Sequence, residues 1–338
     1  MNSKTGLLLV GFGGPRSLDE VAPMLERVMG APPPPALIAA ACKKYELIGG
    51  ASPSVPIAEA ISAELRKTPL VAKHIHAIEV GMCFTEPLLE AAVARLAEAG
   101  CERIVYLSLT AFESWVAWEG PYQRMREAAA QQGIPEVLKA PVFGPHAAYL
   151  NAHAGNICKA YFGDLVQKAY QDDTTPQAVN LAFVAHSLPA DDGQEMAARY
   201  EQQLLTAASL LVTGMPMPVE SGTLCYVSAG ARKGEWLGPS LETIISRVAI
   251  RGDDALIVCP LGFASDHMEV LYDLDIAAAQ EAENQDVTFI RTPTLASKEL
   301  IHPALIESLS DSIRKALQVA LQIVLEEEVS SNGTQQRQ

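Results

Sequence analysis

Short, uninterrupted apolar runs alternate along this chain with longer stretches in which Ala, Leu and Glu recur at helical spacing. Gly6-Leu7-Leu8-Leu9-Val10 is apolar throughout, as expected of a strand buried on both faces. Further strands are predicted near 75–80 and 103–109, and helices at 87–99 and 121–131. Ser17, with Glu20 three residues on, reads as a helix N-cap, and Pro32 to Pro35 interrupts the helical region that follows. The second half repeats the rhythm, with strands at 179–185, 223–228, 255–260 and 287–290 and helices at 195–212, 240–248 and 268–281. Alternating strand and helix predicts an α/β fold with parallel sheets covered on both faces. The change of domain is placed within 142–156, giving one domain over 1–148 and a second over 149–302. A long helix at about 303–327 is expected to return and brace the first domain, ahead of a polar, frayed tail at 330–338.

The chain's 338 residues suffice for two domains of ordinary size. With 49% apolar and 19% charged residues, a packed core is expected and disorder is not. The formal charge of −15 argues against nucleic acid as a partner, because phosphate binding needs a basic face. An acidic cytosolic enzyme fits this composition. The six cysteines form no C-x-x-C pair and several sit in apolar segments, which reads as reduced, buried thiols. No cysteine follows Cys259, so no C-terminal metal cluster, and no iron–sulfur cluster, is expected. No run approaches the ~20 apolar residues of a membrane helix, and the start reads as a first strand rather than a signal peptide.

Two predicted strands end in ionisable groups. Leu181-Ala182-Phe183-Val184-Ala185 runs into His186-Ser187-Leu188-Pro189, and Ala255-Leu256-Ile257-Val258-Cys259 leads to a segment, 262–273, that holds His267, Glu269, Tyr272 and Asp273. Open α/β sheets bind ligands beyond the carboxyl ends of their strands, so one cleft with at least two imidazoles is expected. His267 and Glu269 are two residues apart and would diverge on a regular helix; a wide or irregular turn would bring both to the cleft. Glu269 and Asp273, at i and i+4, should share a face. The turn Gly11-Phe12-Gly13-Gly14-Pro15 does not complete a dinucleotide fingerprint, because Arg16 stands where the third glycine would be.

The motifs, taken in order, resemble the ferrochelatase family over about 7–317. They are Gly13-Gly14-Pro15, Gly49-Gly50-Ala51-Ser52-Pro53, Gly81-Met82, His186-Ser187-Leu188-Pro189, Trp236-Leu237-Gly238-Pro239, and the segment from Gly262 to Asp275. The resemblance implies a chelatase-type fold of two Rossmann-like domains around a cleft, and insertion of Fe²⁺ into coproporphyrin III or protoporphyrin IX in haem biosynthesis. It implies His186, Glu269 and His267 as catalytic residues, and His186, Glu269 and Asp273 as metal-facing groups. It places Phe12, Ser52, Phe112, Trp115 and Trp236 on the porphyrin. Porphyrin and ferrous iron are the implied partners of a cytoplasmic monomer, compatible with peripheral membrane contact, and no cofactor is required. The alternative is a non-catalytic haem or tetrapyrrole binder on the same scaffold; a cobalt chelatase for a more polar ring is a further option. Departures from the family pattern cluster on the cleft rim. Phe12 stands where some relatives carry a tyrosine, Cys83 where an arginine is common, and Val227-Ser228-Ala229-Gly230-Ala231 in place of a more polar run. His74, His76, His146, His153 and His302 match no motif and read as surface or supporting groups.

Overall fold

The computed structural model describes residues 4–166, 179–190, 194–215, 222–230, 234–253 and 255–335. Within the first half, β1 (Thr5–Gly11) leads through a short turn to α1 (Val21–Met29), α2 (Pro35–Leu47), α3 (Ser54–Arg66) and α4 (Pro69–His74). Then follow β2 (Ala77–Met82), α5 (Leu89–Glu98), β3 (Arg103–Ser108), a wide π-type turn at Trp115–Glu119, α6 (Gly120–Gln131) and β4 (Glu136–Lys139). The second half runs through α7 (Ala147–Lys159), β5 (Val179–His186), α8 (Gln194–Gly214), β6 (Gly222–Val227), α9 (Leu241–Arg251) and β7 (Ala255–Cys259). A π-type helix (Glu269–Ala278) continues into α10 (Ala279–Asn284), followed by β8 (Thr288–Arg291) and α11 (Pro303–Gln335).

Among the described residues, eight strands form two parallel sheets, ordered β2-β1-β3-β4 and β6-β5-β7-β8. Leu7, Leu8 and Leu9 are fully buried, as are Phe183 and Val184 of β5 and the middle of β7, which explains the unbroken apolar runs. In each sheet the chain leaves a central strand for one neighbour and returns on its other side. β1 and β5 therefore border the switch points, where the loops diverge and open a crevice. Phe12 follows the first of these strands and His186 ends the second. One apolar cluster runs from Leu9 and Val105 through Phe143 and Tyr149 to Phe183 and Ile257, so α7 and α8 join the two sheets through a shared core.

Several expectations need adjustment. Ser17 makes no side-chain cap; Glu20 instead receives the Arg16 N–H at 2.9 Å and pairs with the Arg16 guanidinium at 2.7 Å. The strand β4 and the helix α4 are short and leave little pattern, whereas α3 and α7 bury residues at helical spacing and are additions to the elements predicted above. The helix α7 occupies the stretch in which the change of domain was placed. The final helix packs on α7, β3, β4 and α3, and it runs to Gln335, well past 327. Once nucleated, a helix extends through a polar tail at little cost per residue; residues 336–338 lie outside the described residues.

Candidate active site

His186 is held in place from three sides. The strand β5 pairs it with Val227 of β6. Its Nδ1 lies 2.6 Å from the carbonyl oxygen of Ser187. A carbonyl only accepts, so Nδ1 carries a proton and Nε2 of the neutral ring keeps a free lone pair. The next residues form a small antiparallel ribbon with the tryptophan motif. Ser187 Oγ donates to Leu237 O at 2.8 Å, Leu237 N–H to Leu188 O at 2.9 Å, and Ala190 N–H to Glu235 O at 2.8 Å. The two motifs are thus one structural unit, and Trp236, half-buried, bridges Pro189.

The opposing wall starts at the end of β7. Gly262 donates to Val184 O at 2.9 Å, and a Cβ there would lie 2.5 Å from the Ala185 Cβ. Only glycine lets this loop close against β5. His267 stands just before the π-type helix, its ring edge-on to Phe263 at 4.9 Å. Its Nδ1 lies 2.6 Å from Glu269 Oε2. That nitrogen is buried, and its contact with the carboxylate falls short of hydrogen-bond alignment. Burial works to raise the Glu269 carboxyl. The adjacent His267 outweighs it, His186 and a backbone N–H assist, and the carboxyl is held down to about 2. His186 therefore lies near enough to share the field of Glu269. The side chain of Glu269 remains 24% exposed, within reach of a ligand.

Asp273, one wide turn on, is fully engaged. Lys44 Nζ from α2 lies 3.1 Å from Oδ1, and Ser228 Oγ donates to Oδ2 at 2.5 Å. Lys44 also sits over the Tyr272 ring, 4.7 Å from its centroid. Ser228 has a φ of 61°, an uncommon backbone state for a non-glycine residue. No group of three or more metal-ligating side chains is preassembled among the described residues.

The first sheet contributes an apolar side. Phe12 is 39% exposed and its ring tilts against Phe84 at 4.7 Å. Phe84 also joins Val21, Met24, Tyr45, Ile48 and Met268 in one cluster, so α1 and α2 pack directly beside the π-type helix. Burial pushes the Tyr45 phenol well up, and the Glu269 charge adds to this. The glycine motifs explain one another: Ser52 N–H donates to Pro15 O at 2.7 Å, and a Cβ on Gly14 would lie 2.3 Å from Ser52 Oγ.

The structure thus brings His186, His267, Glu269 and Asp273 into one region with Phe12, and places Trp236 beside the His186 loop. Ser52 differs from its expected placement: it is buried at the motif junction, with its hydroxyl on Ser54 at 2.8 Å. Phe112 also differs. It is 1% exposed and packs beside Gly144, where a Cβ would lie 2.7 Å from the ring, so it is core rather than rim. Its neighbour Trp115 does stand on the surface, 54% exposed. Phe84, Met268, Tyr45, Lys44 and Ser228 were not identified from the sequence. Phe84 directly follows Gly81-Met82-Cys83 at the end of β2, a position that signals a cleft residue once β2 is known to flank β1.

Comparison with known proteins follows the same lines. The ferrochelatase family model matches residues 4–317. A coproporphyrin III ferrochelatase from Frankia alni is 32% identical over 310 residues, covering 86% of this chain and 75% of that one. The coproporphyrin III ferrochelatase of Propionibacterium freudenreichii is 30% identical, covering 94% and 88% of the two chains. A ferrochelatase from Geobacter sp. is 29% identical, covering 94% and 99%. Among solved structures, SirB from Bacillus subtilis with Fe³⁺ superimposes with a TM-score of 0.53 at 13% identity, covering 93% of this chain and 95% of that one, a likeness of fold alone.

Proposed function

The chain belongs to the ferrochelatase family, whose members insert ferrous iron into a porphyrin during haem biosynthesis, and we propose that its own substrate is coproporphyrin III. The names of its relatives from Frankia and Propionibacterium support that choice of ring.

Metallation exchanges two pyrrole protons for one dication, with no electron transferred, so the reaction itself calls for no redox cofactor. It needs a base over the ring and a negative charge to receive the cation. We assign the first role to His186. Its Nδ1–H is committed to Ser187 O, which leaves the Nε2 lone pair to accept a pyrrole proton. Glu269, with its carboxyl held down to about 2, is ionised at neutral pH and does not carry that proton away. It supplies fixed negative charge facing His186, which favours both the imidazolium formed there and the arriving Fe²⁺. His267 keeps Glu269 ionised and aimed. Asp273, with both oxygens engaged, is assigned to the electrostatics of the metal's approach rather than to a lasting iron bond. The exposed face of Phe12 and the half-buried Trp236 are proposed to line the porphyrin slot, with Trp115 at its rim.

The single observation that carries this division of roles is geometric: His186 Nδ1 is committed to Ser187 O, while the other imidazole, His267, lies 2.6 Å from the Glu269 carboxylate. No helix among the described residues is long and apolar enough to cross a membrane. A cytoplasmic monomer with, at most, peripheral membrane contact is our reading.

Anaerobic incubation with Fe²⁺ and each porphyrin in turn, following loss of the free-base spectrum, tests the proposal. Faster turnover of coproporphyrin III is expected. Preference for protoporphyrin IX would refute the choice of ring, and turnover of neither by folded protein would leave the non-catalytic binder.

A further inference from the structure

The sheet that carries His186 leaves the carbonyl of that residue without a strand partner. β5 pairs with β7 only as far as Phe183 and Cys259. Beyond that point the Gly262 N–H reaches Val184 O at 2.9 Å. Alternate carbonyls on a strand point the same way, so the His186 carbonyl faces the side on which β7 has already ended. A buried carbonyl without a donor costs about as much as a lost hydrogen bond.

The Tyr200 hydroxyl fills this gap. It comes from α8 and donates to His186 O at 3.2 Å. Tyr200 is 5% exposed, and burial pushes its phenol well up, so it stays a donor. The same face of α8 is fastened to the first half of the chain. The Glu113 N–H donates to Gln203 Oε1 at 3.0 Å, and Arg199 Nη1 donates to Glu113 Oε2 at 3.3 Å. One helix therefore ties the strand end bearing the imidazole to the segment that carries Trp115. We propose that Tyr200 is a positioning residue, holding His186 at the height and tilt needed to meet the macrocycle. This rests on the assignment of His186 as proton acceptor.

The chain contains its own control. Tyr226 is an equally buried phenol whose hydroxyl donates to Glu201 Oε1 on the same helix at 3.2 Å, and not to the His186 carbonyl. Tyr200→Phe and Tyr226→Phe each delete one hydroxyl. For both, kcat per porphyrin-binding site and KM for porphyrin are measured separately. The His186 Cε1–H resonance, identified by its disappearance in His186→Ala, is followed by NMR. Tyr200→Phe is expected to lower kcat about fivefold, to leave porphyrin KM within about twofold, and to move the resonance. Tyr226→Phe should change none of these. Added to His186→Ala, Tyr200→Phe should lower the residual rate no further, as expected of residues acting through one another. Parental kcat with an unmoved resonance in Tyr200→Phe, or an equal loss in Tyr226→Phe, overturns the proposal. A parent protein that metallates no porphyrin counts instead against the assigned reaction, and the resonance then decides the role of Tyr200 alone.

Discussion

His267 Nδ1 meets Glu269 Oε2 at 2.6 Å although only one residue separates them in sequence. Two such positions on a regular helix point about 200° apart. Here His267 lies just outside the helix, its carbonyl accepting the N–H groups of Val270 and Leu271, and its side chain is free to fold over the first turn. Glu269 thereby gains an imidazole neighbour and the favourable end of the helix dipole.

This arrangement sets a pH dependence. The Glu269 carboxyl is depressed from its ordinary 4.5 to about 2, so its ionised form is favoured by folding. The contribution to stability is complete above pH 4.5 and drains away as pH falls through 2. The difference in urea midpoint between the parent and Glu269→Gln should therefore shrink across that window. A difference that stays constant with pH would show that the ion pair contributes nothing.

Replacing either His186 or Glu269 by alanine should lower turnover at least ~100-fold. Porphyrin affinity, followed by absorbance titration, should change by less than about threefold, because binding energy comes mainly from apolar contact with the ring. Loss of binding in place of turnover would recast both as structural residues.

Asp273→Asn tests whether that carboxylate holds iron. Lys44 is 39% exposed, so the ion pair stabilises the fold by at most about 1 kcal/mol. With both oxygens already engaged, the variant should keep its KM for Fe²⁺ within about twofold. A tenfold or larger rise, measured at saturating porphyrin, would make Asp273 an iron ligand.

Ser228 combines a positive φ with a hydrogen bond to Asp273. Ser228→Ala loses the bond and keeps the strain, and should destabilise by about 1 kcal/mol. Ser228→Gly loses the bond but relieves the strain, and should unfold within about 0.5 kcal/mol of the parent. Urea denaturation of the two variants separates these effects; equal losses would mean that the backbone state carries no cost.

The sheets were legible because β1, β5 and β7 are buried on both faces and their residues are apolar without a break. The positions of His186 and Glu269 were legible because ionisable groups follow the ends of two of those apolar strands. The edge strand β4 is short and half-exposed, so it leaves little pattern. Phe112 looked like a rim residue because it neighbours Trp115, but Gly144 opens a core pocket for its ring. The contacts of Lys44 and Tyr45 with the π-type helix link positions more than two hundred residues apart, and no local pattern encodes them. Tyr200 sits within an ordinary amphipathic helix; its importance comes from where β7 stops relative to β5.

The central claim is that His186 and Glu269 confront one another across a bound ring, with Nε2 of the imidazole facing the pyrrole nitrogens. A crystal structure of the protein with free-base coproporphyrin III tests this most directly. The account predicts the macrocycle beside Phe12, with His186 Nε2 at hydrogen-bonding distance from a pyrrole nitrogen and Glu269 on the opposite side. A ring seated away from His186, or an imidazole turned so that Nδ1 faces the ring, would contradict it.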